Sequence, residues 1–301
     1  MWMRDTILII TSSFDKTADY LEEKYAECKF FRFNTDNFNE YSISVSADEW
    51  LISRGDMSVS KNQVCSVYYR KPVLPVLTDY KQEYHLTIQR DIISVINGIA
   101  DSFDRKVLTK PYILRKTENK IFQLLTAKSC GLVIPSSYIG NAENTIEFAN
   151  KAFIIKPIST ARIQKGEEWE AYYTECYTEP VEDISNTPVY LQQYIPKKYE
   201  VRLTIVDSNA FPVQIDCRDK TDWRRDYLNH KYCIIDCPDI VLKACQRLLN
   251  KYQLIFGAFD FIVTPDNEWV FLEVNPNGQW LWLEQALDLS ISKSIINYLS
   301  C

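Results

Sequence analysis

The residues best suited to chemistry gather near the C-terminal end of the chain, between Gly257 and Asn275. Two apolar runs, Gly257–Val263 and Trp269–Val274, flank Pro265–Glu268, and this spacing predicts a β-hairpin with a four-residue connection. In that register Thr264 pairs with Trp269, and Asp260 stands directly opposite Glu273. Strand side chains alternate, so Asn275 shares the face of Glu273 while Phe259, Phe261, Val270, Leu272 and Val274 take the other. Two carboxylates placed opposite each other repel, and they call for a cation or a basic partner. Oxygen donors of this kind suit Mg2+. The alternative is a solvated hairpin whose acids coordinate nothing, and a one-residue slip would invert the two faces.

Other charged positions are less specific. Lys156 follows the apolar run Phe153–Ile155, where a lysine either decorates a strand end or holds phosphate. Arg202 and Arg218 interrupt apolar strands, so each calls for a carboxylate or phosphate partner. The segment DKTDWRRD (219–226) reads as a solvated loop, and YYRKP (68–72) as either a packed strand end or part of a peptide-binding surface.

Composition removes several classes of function. Seven glycines with no G-x-G arrangement exclude the Walker loop and the dinucleotide fingerprint, so any nucleotide is held without a glycine cradle. Two histidines, His85 and His230, argue against a histidine-ligated zinc enzyme and a triad hydrolase. A formal charge of -6 argues against broad nucleic-acid binding. Nine cysteines without a compact spacing pattern point to a reducing compartment, and Cys233 and Cys237 read as buried thiols rather than a metal pair. The aliphatic run Ile7–Ile10 is too short for a membrane span, so a soluble cytoplasmic protein is expected.

A chain of 301 residues divides into two or three units. Residues 1–112 read as an α/β domain: a strand at Thr6–Ser12, a helix near Lys16–Ala26, strands at Cys28–Phe33 and Val64–Tyr69, and a helical pattern within Asp79–Phe103. A smaller α+β lobe, 113–187, begins with a helix capped by Thr117 that runs to Cys130 and stops at Gly131. It continues with an extended segment from Pro135 to Ile139, a short helix at Ala142–Asn150, a strand at Ala152–Pro157 and an antiparallel neighbour within Glu168–Thr178. The last unit, 188–301, holds strands at Val189–Ile195, Glu200–Val206 and Phe211–Cys217, a helix at Asp239–Tyr252, the hairpin, and a helix at Trp282–Leu299.

Together these features resemble the ATP-grasp superfamily over about residues 110–290, most specifically in FLEVNPNGQWLWLE (271–284). Within it the chain looks most like the graspetide maturases of the microviridin type. FRFNTDNF (31–38), YYRKP (68–72) and DWR (222–224) extend the likeness over almost the whole chain. The resemblance implies a three-part ATP-grasp fold of α/β (α+β) class: an N-terminal α/β domain, a small central α+β lobe and a C-terminal antiparallel-sheet lobe.

It also implies ATP and Mg2+ as cofactors, with Asp260, Glu273 and Asn275 as the metal ligands. Lys156 matches the phosphate-binding lysine, and either Lys116 or Lys120 an earlier basic position. Gln192, Gln193, Tyr194 and Ile195 match the hinge whose backbone reads adenine. Glu200 and Arg202 match an acidic and basic pair, with Arg202 near the reacting phosphate and Arg218 a second candidate. The implied reaction joins Asp or Glu side chains of a ribosomal precursor peptide, leader plus core, to Thr or Ser hydroxyls or Lys amines. The implied enzyme is a homodimer with no nucleic-acid or membrane partner. The stretch ISTARIQKG (158–166) departs from many family members in having one glycine where a phosphate lid often forms. A ligase for another protein or small acid, and an ATP-binding protein without catalysis, remain as alternatives.

Overall fold

The computed structural model describes residues 5–142, 152–159, 162–165, 168–171, 175–178, 185–216 and 230–300. Four sequence expectations fall wholly or largely outside them: Arg218, the charged segment 219–226, the DWR motif and the helix expected at Ala142–Asn150.

The chain begins with β1 (Thr6–Thr11), α1 (Lys16–Lys24), β2 (Lys29–Asn34), a 3-10 segment at Thr35–Glu40, β3 (Ser42–Val45), β4 (Trp50–Arg54), β5 (Met57–Ser60), β6 (Val64–Tyr69), α2 (Gln82–Asp101) and β7 (Lys106–Leu108). Strands β2-β1-β6-β7 form a parallel sheet in that order. All six residues of β1 are buried, as a strand covered on both faces requires. Alternation then sends Leu8 and Ile10 to a core shared with α2 and the small antiparallel sheet β3-β4-β5, through Trp50, Ile52, Ile92 and Ile96. That small sheet was not expected from the sequence.

The middle of the chain holds α3 (Pro111–Thr117), α4 (Lys120–Ser129), β8 (Ser137–Gly140), β9 (Phe153–Lys156), β10 (Arg162–Lys165), β11 (Glu168–Ala171) and β12 (Glu175–Tyr177). Thr117 does not cap a long helix: it is the last residue of α3, and its hydroxyl bonds back to the Ile113 carbonyl at 2.7 Å. The cap belongs to Asn119, whose side chain accepts from Phe122 N at 3.1 Å. Gly131, with φ of 85°, ends α4 as expected. The segment 168–178 is two strands, of which β12 pairs with β9 and β11 with β10.

The last part contains β13 (Val189–Gln193), β14 (Tyr199–Val206), β15 (Asn209–Asp216), β16 (Lys231–Ile234), α5 (Asp239–Tyr252), β17 (Phe256–Val263), β18 (Trp269–Asn275), α6 (Leu281–Leu287) and α7 (Ile291–Leu299). A small antiparallel sheet has the order β12-β9-β13-β8, and a five-stranded one the order β16-β15-β14-β17-β18. The apolar face of the five-stranded sheet packs on α4 and α5 through Leu203, Phe259, Phe271, Ala127, Cys245 and Leu248. Where one C-terminal helix was expected there are two, because Asp288 adopts left-handed backbone with φ of 51°. Both pack against the other face of the N-terminal sheet, where Trp280, Ile291 and Leu299 meet Ile7, Ile9 and Tyr68.

The hairpin needs one further correction. Asp260 does pair with Glu273, but a bulge between Asp260 and Phe261 shifts the rest, so that Phe261 pairs with Phe271 and Val263 with Trp269. Phe271 therefore joins the core, whereas Leu272, expected there, is half-buried. Thr264 lies in the turn, where its amide donates to Glu268 O at 3.0 Å.

Candidate active site

Directly paired residues share a face of a sheet, so Arg202 on β14, Asp260 on β17 and Glu273 on β18 form one row across three strands. Thr204, Ala258 and Asn275 form the adjoining row. Arg202 Nη1 donates to Asp260 Oδ2 at 3.2 Å, and Lys120 Nζ donates to Glu273 Oε2. Lys120 is the first residue of α4, a helix end that disfavours a cation, and the Glu273 carboxylate offsets this.

The junction is pinned by Gln123, which the sequence did not single out. Its side-chain amide donates to Thr117 O and Val274 O at 2.7 and 2.9 Å and accepts from Val274 N at 3.1 Å. This ties α4 to the strand that carries Glu273. Its sequence signal is a polar side chain on the buried side of an amphipathic helix.

The Glu273 side chain is partly exposed, at 38%, and the charges of Lys120, Lys156 and Arg202 act on its carboxylate. Desolvation alone would raise its pKa. The charge and hydrogen bond of Lys120, with the charges of Lys156 and Arg202, outweigh this and hold it at about 2. Lys156 ends β9 and pairs across the sheet with Tyr190 on β13. Burial first, and Glu273 in addition, push the Tyr190 phenol up to about 12. The small sheet thus brings Lys156 and Tyr190 to the acidic row, and Tyr190 is a second residue the sequence reading missed.

The other expected residues distribute as follows. Lys116 stays outside this group: it is exposed, with its ammonium 5.0 Å from the Phe122 ring centroid. Gln192 is fully buried and donates to Tyr190 Oη at 2.9 Å. The amides of Gln193 and Tyr194 donate to Ser136 O at 2.8 Å and Ala152 O at 3.0 Å, and Ile195 follows them. Glu200 pairs with Lys197, both nearly buried, two residues before Arg202.

The donor set fits Mg2+: two carboxylates and a carboxamide oxygen on one face, with Glu273 held ionised. Among the described residues no group of three His, Cys, Asp or Glu side chains could hold a metal. Two acids and one amide leave coordination positions for phosphate oxygens and water, the usual habit of this ion. Lys120, Lys156 and Arg202 carry three positive charges against the two carboxylates, an excess that suits a polyphosphate. Arg202 Nε and Thr204 Oγ1 are buried and have no hydrogen-bond partner among the described residues, so this face retains polar capacity.

No protein-family model and no curated protein matches the chain. Solved structures do. A Chryseobacterium gregarium RiPP-associated ATP-grasp ligase, in complex with ADP and a leader and core peptide, is 25% identical with a TM-score of 0.87, over 98% of this chain and 96% of that one. The macrocyclase MdnC of Microcystis aeruginosa MRC, bound with precursor peptide MdnA, is 26% identical with a TM-score of 0.87, over 98% and 99%. MdnB from the same organism, also a macrocyclase, is 28% identical with a TM-score of 0.80, over 98% and 99%. The chain is an ATP-grasp ligase, similar along nearly its whole length to graspetide-type maturases.

Proposed function

We propose that this protein is an ATP-dependent macrocyclising ligase acting on Asp or Glu side chains of a ribosomal precursor peptide. The observation that carries the reading is the row Arg202, Asp260 and Glu273, flanked by Lys120 and Lys156, in a chain similar throughout to the macrocyclases MdnC and MdnB.

In the first step a peptide carboxylate oxygen attacks the γ-phosphorus of ATP, and the bond to ADP breaks. An acyl phosphate forms. Arg202, Lys156 and Lys120 offset the charge that moves onto the phosphate oxygens, and Arg218 is a further candidate. A Thr or Ser hydroxyl then attacks the acyl carbon, the bond to phosphate breaks, and the hydroxyl proton leaves with phosphate or water. The product is an ester; a Lys amine would give an amide by the same steps. Asp260, Glu273 and Asn275 would hold Mg2+, which supplies charge neutralisation at the phosphates when bound. With Gln192 paired on both sides and the Gln193 and Tyr194 amides engaged, the Ile195 amide and the carbonyls of 193–195 are the groups to read the adenine edge. Glu200, paired with Lys197, would be the acidic partner on the strand that carries Arg202.

Among the described residues no helix is long and apolar enough to cross a membrane. The reading extends to a cytoplasmic homodimer, for which light scattering on the purified protein is the test.

Incubation with ATP, Mg2+ and a precursor peptide rich in Thr and in Glu or Asp should remove one water per link, as read by mass spectrometry. Mild alkali should restore the mass. An alkali-stable product would exclude esters, and ATP consumption without peptide modification would favour another ligase of the same fold.

A further inference from the structure

The carboxyl ends of β1 and β6 hold a buried ion pair that the steps above do not use. Arg70, directly after β6, has a side chain with 0% exposure, and Asp15, which caps α1, has 5%. The guanidinium donates from Nε to Asp15 Oδ2 at 2.8 Å, from Nη2 to Asp15 Oδ1 at 3.3 Å and from Nη1 to Tyr68 Oη at 3.2 Å. Nη2 also reaches Gln279 Oε1 at 3.1 Å, and the Arg70 carbonyl accepts from Asn277 Nδ2.

Asn277 and Gln279 belong to the loop after β18, and Asn277 N donates to Asn275 Oδ1 at 3.1 Å. Between them, a Cβ on Gly278 would stand 2.6 Å from the Ala258 Cβ, so the loop lies pressed against β17. An unbroken set of contacts thus leads from Asp15 through Arg70 and Asn277 to Asn275.

From this geometry we propose that Arg70 is a positioning residue for the cation-binding edge. It fixes the loop through Asn277 and Gln279, and the Asn277 amide in turn sets the Asn275 carboxamide. The inference rests on the reading of Asn275 as a cation ligand. A buried ion pair adds little net stability by itself. The fork of an arginine, however, defines direction in a way a lysine cannot. Hydrogen bonds behind a metal ligand commonly change metal affinity about 10- to 100-fold.

The test is calorimetric binding of ADP across a Mg2+ series, with no peptide present and no turnover. Asn277→Ala removes the contact to the Arg70 carbonyl and Gln279→Leu those to the Arg70 guanidinium and the Thr17 hydroxyl, while Arg70→Lys keeps the charge beside Asp15 and loses the fork. The Mg2+ concentration giving half-maximal enhancement of ADP binding should rise about 10-fold in Asn277→Ala, and less in Gln279→Leu and in Arg70→Lys, whose side chain meets the loop at Gln279 while its carbonyl still holds Asn277. Saturating Mg2+ should restore wild-type ADP affinity. If Arg70→Lys fails to fold, Asn277→Ala and Gln279→Leu decide. Variants that melt earlier but keep the wild-type Mg2+ midpoint would overturn the proposal. Asn275→Ala is the reference: if it leaves the midpoint unmoved, both the edge and the inference fall, whereas a shift there and in none of the other three overturns the inference alone.

Discussion

Glu273 concentrates the chemistry of the site in one carboxyl group. Its folded pKa, about 2, lies below its ordinary value of 4.5, so the sign of its pH linkage is fixed. It contributes stability that is fully present above about pH 4.5 and is lost as pH falls toward about 2. In Glu273→Gln that acid-side loss should shrink, as thermal melts between pH 2 and pH 5 would read. At neutral pH the same variant should lose activity by about 100-fold or more while remaining folded, since it removes a charge the site depends on. Unchanged turnover would remove Glu273 from the site. The two lysines that motif reading left as alternatives separate here by position: Lys120 bonds to Glu273, and Lys116 lies over Phe122. Lys120→Met should raise the KM for ATP about 10- to 100-fold, the worth of one charged hydrogen bond, and Lys116→Met should leave it unchanged. Equal effects in steady-state kinetics would contradict that assignment.

At the level of elements, the hairpin shows where periodicity suffices and where it fails. Alternation placed Asp260 opposite Glu273 and Asn275 beside it, because both runs are long enough to impose a register. It could not foresee the bulge, which leaves no mark in residue types yet moves Phe271 into the core in place of Leu272. Phe271→Ala should therefore cost about 3–5 kcal/mol in urea unfolding, and Leu272→Ala about 1 kcal/mol. Equal losses would argue for the unbulged register. Helix α5 was legible to its ends because its apolar stripe is regular, whereas β3, β4 and β5 are four or five residues each, rich in serine, and carry too little pattern. The α3–α4 boundary was hidden for a different reason: Thr117 and Asn119 are both good caps, and tertiary bonds from Gln123 decide between them. The site itself was legible only in halves. Lys156 and Glu273 were each visible, but the influence of Glu273 on Tyr190 depends on two sheets far apart in sequence.

Across the whole molecule, the C-terminal helices join parts of the chain that the sequence presents as separate. Leu289, Ile291, Ile295, Ile296 and Leu299 are buried in the same cluster as Ile7, Ile9 and Tyr68 of the N-terminal sheet and Val206 and Phe256 of the C-terminal sheet. Polar contacts reinforce this: Ser66 Oγ donates to Leu299 O at 2.6 Å, and Ser292 N to Glu284 Oε2 at 2.6 Å. Removing residues 289–301 would withdraw five buried aliphatic side chains, each worth about 1.5–3 kcal/mol, or roughly 7–15 kcal/mol together. That matches the whole stability of a typical domain, about 5–15 kcal/mol. A chain ending at Asp288 should accordingly lose the cooperative melt of its N-terminal sheet and bind a hydrophobic dye, although every residue of the row from Arg202 to Glu273 is still present. The check is hydrogen exchange at β1 and β6 alongside calorimetry. Persistent protection of those strands in the shortened chain would mean that the N-terminal sheet carries its own core, and that α7 covers it without holding it.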